Sequence, residues 1–160
     1  FDEQAKEMVK NAASNQKLLA LLMIDLDHFK SINDSNGHLF GDDALSITAT
    51  TLQQFFQPYE AIVARFGGDE FIVLLHLKEE QSISIIAQNL YDSLTSLVLT
   101  VNDDVVQLEF SIGVSTNEHG YITQLEQLIH HADSALYTSK RNGRNQITLY
   151  NQYNDAGNSK

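Results

Sequence analysis

The sequence predicts an α+β domain with a mixed central sheet flanked by helices, and three observations lead there. Leu18 to Leu26 is a near-continuous apolar run, as in a strand buried on both faces. Two more short runs rich in Val, Ile and Leu, Ala61–Ala64 and Ile72–Leu75, flank Gly67-Gly68. Two glycines between such runs signal a tight hairpin, because the primed turns need positive φ. Around these strands lie long segments with apolar residues at helical spacing. The resulting order, strand-helix-helix-strand-strand-helix-strand, is that of a mixed sheet covered by helices.

The remaining elements follow in chain order. Residues Phe1 to Asn15, with Ala, Glu, Lys and Met, predict a helix before the first strand. His28 to Ser35 predicts a short helix, closed by Asn36-Gly37 as a C-cap. Asp42 to Phe56 carries Ala44, Leu45, Ile47, Leu52, Phe55 and Phe56 on one helical face, and Pro58 stops it. Ile62–Phe66 and Phe71–Leu77 are the hairpin strands, with Phe66 and Phe71 expected to pack within the hairpin. Glu79 to Leu97 spaces Ile83, Ile86, Ala87, Leu90, Tyr91 and Leu94 as a helix does. Val98–Val101 and Val105–Val114 predict strands joined at Asn102-Asp103-Asp104. Thr123 to Lys140 is a third long helix, ended by Gly143, and Gln146–Tyr150 is a last strand. Asn151 to Lys160 is polar and expected to fray. No internal repeat is present.

Composition bounds the function. The chain has 160 residues, enough for one domain with a real core. An apolar content of 42% with 19% charged residues is that of a globular chain. Twenty-one acids against 10 bases leave a net charge of -11, which argues against a general nucleic-acid surface. An anionic ligand must then be drawn in by metal ions and a few placed cations. Cysteine is absent, which excludes disulfide and thiol chemistry and is compatible with a cytosolic location. No apolar run approaches the ~20 residues of a membrane span, so no direct membrane contact is expected from this chain.

The acidic residues are distributed with a purpose. The first strand ends in Asp25-Leu26-Asp27, and period-2 alternation places Asp25 and Asp27 on one face. The hairpin presents Asp69 and Glu70 at its tip. Paired carboxylates repel unless a cation lies between them, and a divalent metal holding phosphates fits that need. Either cluster alone reads as helix caps or solvated acids. The two together, with their intervening residues, read as one metal site. His28, His38, His119, His130 and His131 lack the short paired spacing of a zinc site, and His130 and His131 are expected on a helix surface. Nothing marks Ser111 or Ser134 as a nucleophile.

Five ordered segments carry a family resemblance. They are Ile24-Asp25-Leu26-Asp27-His28-Phe29-Lys30-Ser31-Ile32-Asn33-Asp34, then Gly37-His38-Leu39-Phe40-Gly41-Asp42, then Ala64-Arg65-Phe66-Gly67-Gly68-Asp69-Glu70-Phe71, then Phe110-Ser111-Ile112-Gly113-Val114, and last Ala132-Asp133-Ser134-Ala135-Leu136-Tyr137 running into Lys140 and Gly143-Arg144-Asn145. In this order and spacing the chain resembles a GGDEF domain, the catalytic domain of bacterial diguanylate cyclases. The resemblance implies a ferredoxin-like palm similar to nucleotidyl cyclases and polymerases, and residues 1–150 as the catalytic domain followed by a polar tail or linker at 151–160. The family's Asp-x-Leu-Thr-Gly-Leu-x-Asn-Arg segment would lie upstream of Phe1. The chain is therefore expected to be part of a longer sensor protein, cytoplasmic in location, whose parent can be membrane-anchored.

The resemblance also implies a reaction and its residues. Two GTP condense into cyclic di-GMP with release of two pyrophosphates, each 3′-hydroxyl attacking the α-phosphate of the other GTP. Each domain holds one GTP, so a homodimer forms during turnover. Asp25, Asp69, Glu70 and the backbone carbonyl of Leu26 match the ligands of Mg2+, for which Mn2+ can substitute. Asp69 also matches the proton acceptor, and Lys30 a lysine that stabilises the transition state. Lys140 and Arg144 match phosphate-binding cations, though at a helix C-terminus such residues also complement the dipole. Asn33 and Asp42 match the guanine readers, with His38 beside the base-binding loop. A carboxylate accepts from both N1–H and the 2-amino group of guanine, and adenine offers no such pair. Many members carry an Arg-x-x-Asp product-binding site before the signature. Here those positions hold Pro58 and Ala61, so product inhibition through them is not expected. The alternative implied by the same family is a silent GTP-binding domain that regulates an attached output domain.

Overall fold

A computed structural model describes residues 1–117 and 122–151. In chain order the elements are α1 (Asp2–Asn15), β1 (Leu18–Leu26), α2 (Phe29–Asn36), α3 (His38–Phe56), β2 (Ala61–Gly67), β3 (Glu70–Leu77), α4 (Ile83–Thr95), β4 (Val98–Val101), β5 (Asp104–Gln107), β6 (Phe110–Thr116), α5 (Leu125–Arg141) and β7 (Gln146–Leu149). Five strands form the central sheet in the order β2-β3-β1-β6-β7. β1 is central and antiparallel to both β3 and β6, while β6 and β7 run parallel across the α5 connection. The α+β expectation holds. The expected tail, beyond Asn151, and His119 lie outside the described residues.

The apolar run of β1 is explained by helices on both of its faces. Ala20, Leu22, Ile24 and Leu26 join one core with residues of α2, α3 and α4. Leu19, Leu21 and Met23 join a second core with residues of α1 and α5. Asp25 continues the second set, so its carboxyl leaves the sheet on the α5 side. Its antiparallel partner across the strand pair is Glu70, which therefore shares that side.

Several boundaries depart from the sequence reading. The helix expected from Asp42 starts at His38 instead. Gly37, at φ 87, ends α2 and starts α3 at once, so Asp42 lies inside the helix. The expected Val105–Val114 strand is divided. β4 and β5 form their own two-stranded ribbon, turned by Asn102 and Asp103 at φ 49 and 69. The chain then breaks at Leu108, which is buried and donates its N–H to Leu97 O, before β6 enters the main sheet. The hairpin forms as expected, but only Gly68 of its two glycines takes positive φ. A bulge between Arg65 and Gly67 leaves Phe66 half-exposed, while Phe71 is in the core. His131 is buried instead of on the helix surface and stacks on Tyr150 with ring centroids 3.9 Å apart. His130 is exposed as expected.

α5 is drawn unusually close to the sheet. A Cβ on Gly113 would overlap the Ala132 carbonyl oxygen and the Leu136 nitrogen, so only glycine allows this approach. Two buried hydroxyls tie the layers together: Ser115 donates to Leu128 O at 2.7 Å and Ser139 to Ile112 O at 2.9 Å. The C-terminal end of α5 is thereby delivered to the Asp25 end of β1. Among the described residues no helix is long and apolar enough to cross a membrane.

Candidate active site

The acidic ends of β1 and β3 meet one cation. Lys140 Nζ pairs with Asp25 Oδ2 and lies 3.7 Å from Glu70 Oε1. Asp69 stands beside them and is felt electrostatically by both Asp25 and Lys140. Burial pushes the Asp25 carboxyl up from its ordinary 3.8 to about 7, against the lowering pull of Lys140 and with a further push from Asp69. Burial works against the Lys140 ammonium, but its hydrogen bond to Asp25 and the charges of Asp25, Glu70 and Asp69 prevail and push its pKa up.

The donors facing Lys140 are carboxylate oxygens, the set that a hard divalent cation takes, and a cation is already accommodated among them as the ammonium. These residues suit a hard divalent cation in donor type. Among the described residues, no three His, Asp or Glu side chains converge tightly enough to enclose an ion as they stand. Leu26 belongs to the core by its side chain and donates its N–H to Asp69 O at 3.2 Å. It thus ties the end of β1 to the hairpin tip.

A second group lies on the other side of the sheet. A cavity of about 510 Å³ opens between α3 and the hairpin, lined by Asp42, Leu45, Ser46, Gln53, Val63 and Phe71 among others. Asn33 faces Gly41 so closely that a Cβ there would overlap its amide, and Asn33 Oδ1 is buried without a hydrogen-bond partner. An unpaired buried amide oxygen is costly unless a ligand satisfies it. Gly41 is thus required by Asn33, the residue matched to guanine recognition. His38 is exposed at the first position of α3. Lys30 is exposed in the first turn of α2 and makes no ion pair among the described residues.

Asp27 does not join Asp25. It is buried, accepts hydrogen bonds from Ser111 Oγ at 2.7 and 2.9 Å, and accepts another from the Asn145 N–H at 2.9 Å. Ser111 thereby has a role that its sequence neighbourhood did not signal. Arg144 and Asn145 both take left-handed backbone, at φ 64 and 48, directly after Gly143 at φ 111. Such a conformation costs non-glycine residues roughly 1–2 kcal/mol each. Arg144 is exposed and forms no ion pair with a carboxylate among the described residues. Sequence reasoning also missed the Tyr91 hydroxyl, which donates toward Asn145 O at 2.8 Å and Oδ1 at 2.9 Å. Burial, with the charges of Glu109, Asp27 and Asp92, pushes the Tyr91 phenol up, so it stays a donor. The cavity lining, Leu45, Ser46 and Gln53, was likewise missed; only the i, i+3/i+4 ladder from Asp42 could have signalled it.

Comparison with known proteins places the chain in a family. Residues 1–146 match the model of the diguanylate cyclase GGDEF domain. Diguanylate cyclase A of Treponema denticola is 33% identical over 141 residues, which are 88% of this chain and 38% of that protein. Cyclic di-GMP phosphodiesterase NbdA of Pseudomonas aeruginosa is 34% identical over 152 residues, 95% of this chain and 19% of that protein. The chain thus spans well under half the length of either relative. Among solved structures, the GGDEF domain of YfiN from Pseudomonas aeruginosa superposes with a TM-score of 0.89 at 31% identity, covering 100% of this chain and 92% of that one. The GGDEF domain of DgcB from Caulobacter crescentus, solved in complex with c-di-GMP, gives 0.79 at 28% identity, covering 93% and 87%. With its acid-bearing hairpin, its palm-type sheet and a family match over nearly the whole chain, this protein belongs to the GGDEF domain family of cyclic di-GMP signalling.

Proposed function

We propose that this chain is an active diguanylate cyclase domain that condenses two GTP into cyclic di-GMP as a homodimer. The observation that carries the reading is the meeting of Asp25, Glu70 and Lys140 at the Asp25 end of β1, with the matched residue Asp69 beside them. Asp42, in the lining of the α3–hairpin cavity, and Asn33, packed on the neighbouring Gly41, read the guanine edge. Lys30, Lys140 and Arg144 hold the phosphates, Lys140 exchanging carboxylates for phosphate oxygen. Asp25, Asp69, Glu70 and the Leu26 carbonyl hold Mg2+ or Mn2+. When bound, that ion neutralises charge on the triphosphate and makes the attacking 3′-hydroxyl more acidic. Asp69 is the acceptor for the hydroxyl proton. The 3′-oxygen forms a bond to the α-phosphorus of the GTP on the facing domain, and the bond to pyrophosphate breaks. Two such events close the ring.

The test is pyrophosphate release from GTP with Mg2+ over a range of protein concentrations, with Asp69→Asn as control. The expected result is turnover that rises faster than linearly with protein and falls at least about 100-fold in the variant. A second reading is favoured by the relatives named phosphodiesterases, such as NbdA, of which the chain spans a fraction: a GTP-binding domain that regulates an attached output. GTP binding without pyrophosphate release at any protein concentration selects that reading.

A further inference from the structure

The turn that carries Arg144 is held in a disfavoured conformation by residues the reaction itself does not use. Gly143, Arg144 and Asn145 are three consecutive positive-φ residues. Such backbone persists only where its surroundings over-determine it. Here they do. The Arg144 N–H donates to Ser139 O at 3.0 Å. Gln146 Nε2 donates to both Asn142 O and Arg144 O, at 2.9 and 3.0 Å. The Asn145 N–H donates to the buried Asp27 carboxylate at 2.9 Å. The Tyr91 hydroxyl of α4 clasps the carbonyl and side-chain oxygens of Asn145 from the other side. Asp27 is itself fixed by Ser111 on β6. Two separate parts of the fold, the end of β1 and α4, therefore converge on Asn145, with β6 bracing the first through Ser111, and the arginine before it remains exposed.

We propose that Asp27, Asn145 and Tyr91 are positioning residues for triphosphate recognition: together they lock the Gly143–Asn145 turn so that Arg144 is presented to the phosphates. This deepens the cyclase reading and rests on it. Asp27 is thus separated in role from Asp25 two residues earlier. Asp25 faces the cation, and Asp27 faces the backbone of the phosphate-binding turn. Tyr91 acts through one hydroxyl whose loss leaves the ring in place, which makes it the residue to probe.

The experiment measures binding of a non-reactive α,β-methylene GTP analogue and of guanosine, with Mg2+, to the 160-residue chain and to its Tyr91→Phe, Arg144→Ala and doubly substituted forms. Tyr91→Phe is expected to weaken the analogue about fivefold, the worth of one hydrogen bond, and to leave guanosine unchanged. The same substitution is expected to add nothing in the Arg144→Ala background, because it acts through that residue. The inference is overturned if Tyr91→Phe leaves analogue affinity intact, if it weakens guanosine equally, or if its effect persists undiminished without Arg144. A wild-type chain that binds neither ligand removes the cyclase reading and the inference with it, whereas guanosine and analogue binding with no Tyr91 effect removes the inference alone.

Discussion

Asp25 is the residue at which fold and function pull against each other. Its carboxyl is buried at the end of the central strand, opposite Glu70 and beside Asp69, and among the described residues the cation paired with it is Lys140. The folded-state pKa stands near 7 against an ordinary 3.8, so the native form holds a proton that the unfolded chain has released across that window. Stability contributed by this group is therefore greatest below pH 3.8 and declines as pH rises to about 7, the reverse of an ordinary paired carboxylate. Asp25→Asn removes the ionised form. With divalent metal chelated, the variant should match the parent near the lower bound and exceed it above the upper bound, by at most roughly 4 kcal/mol at about 1.4 kcal/mol per pKa unit. Urea titrations of both proteins at the two ends of the window check this, and a constant difference across it would refute the assignment. Divalent metal should reverse the order, because it supplies the positive charge that the buried cluster lacks.

At the scale of elements, α5 decides where the cations go. Gly113 lets it approach β6 more closely than any side chain would permit, and the Ser115 and Ser139 hydroxyls hold it there. Gly113→Ala must push the helix outward, with an overpacking cost of about 1–3 kcal/mol. Because Lys140 and the Arg144 turn are carried on that helix, the same change should weaken GTP binding while leaving guanosine binding at the α3 side of the sheet near that of the parent. A lowered urea midpoint with unaltered GTP binding would contradict the link. This contact also shows what the sequence could and could not reveal. β1 was readable because its run is apolar on both faces, and the hairpin because two glycines divide two β-rich runs. That the acids at the end of β1 and at the hairpin tip belong together was readable from their chemistry, whereas the register that sets Asp25 opposite Glu70 is a property of the folded sheet. The need for glycine at 113, the burial of His131 against Tyr150 and the break at Leu108 arise from contacts between distant segments and leave no local pattern. Asp27 was placed on the face of Asp25 correctly by alternation. Its partner, the Asn145 N–H, lies 118 positions away in the chain, beyond the reach of any periodicity.

The whole molecule carries a charge of -11, and the proposed reaction asks two such molecules to face each other around two anionic nucleotides. The cations available for this are local: Lys30, Lys140 and Arg144 act over short distances, whereas the repulsion of the two domains acts over the Debye length. That length falls from about 30 Å at 0.01 M salt to about 8 Å at 0.15 M. Moderate salt should therefore favour pairing of the domains more than it weakens the short-range hold on phosphate. At protein concentrations where turnover is still steeper than linear, pyrophosphate release at fixed Mg2+ should rise several-fold between those two salt concentrations. Binding of the α,β-methylene GTP analogue, measured in parallel, should fall or stay level over the same range, which separates assembly from ligand binding. If turnover instead falls in step with analogue binding, long-range repulsion is not what limits the dimer, and the pairing surface must bring complementary charges together despite the excess of acid in the sequence.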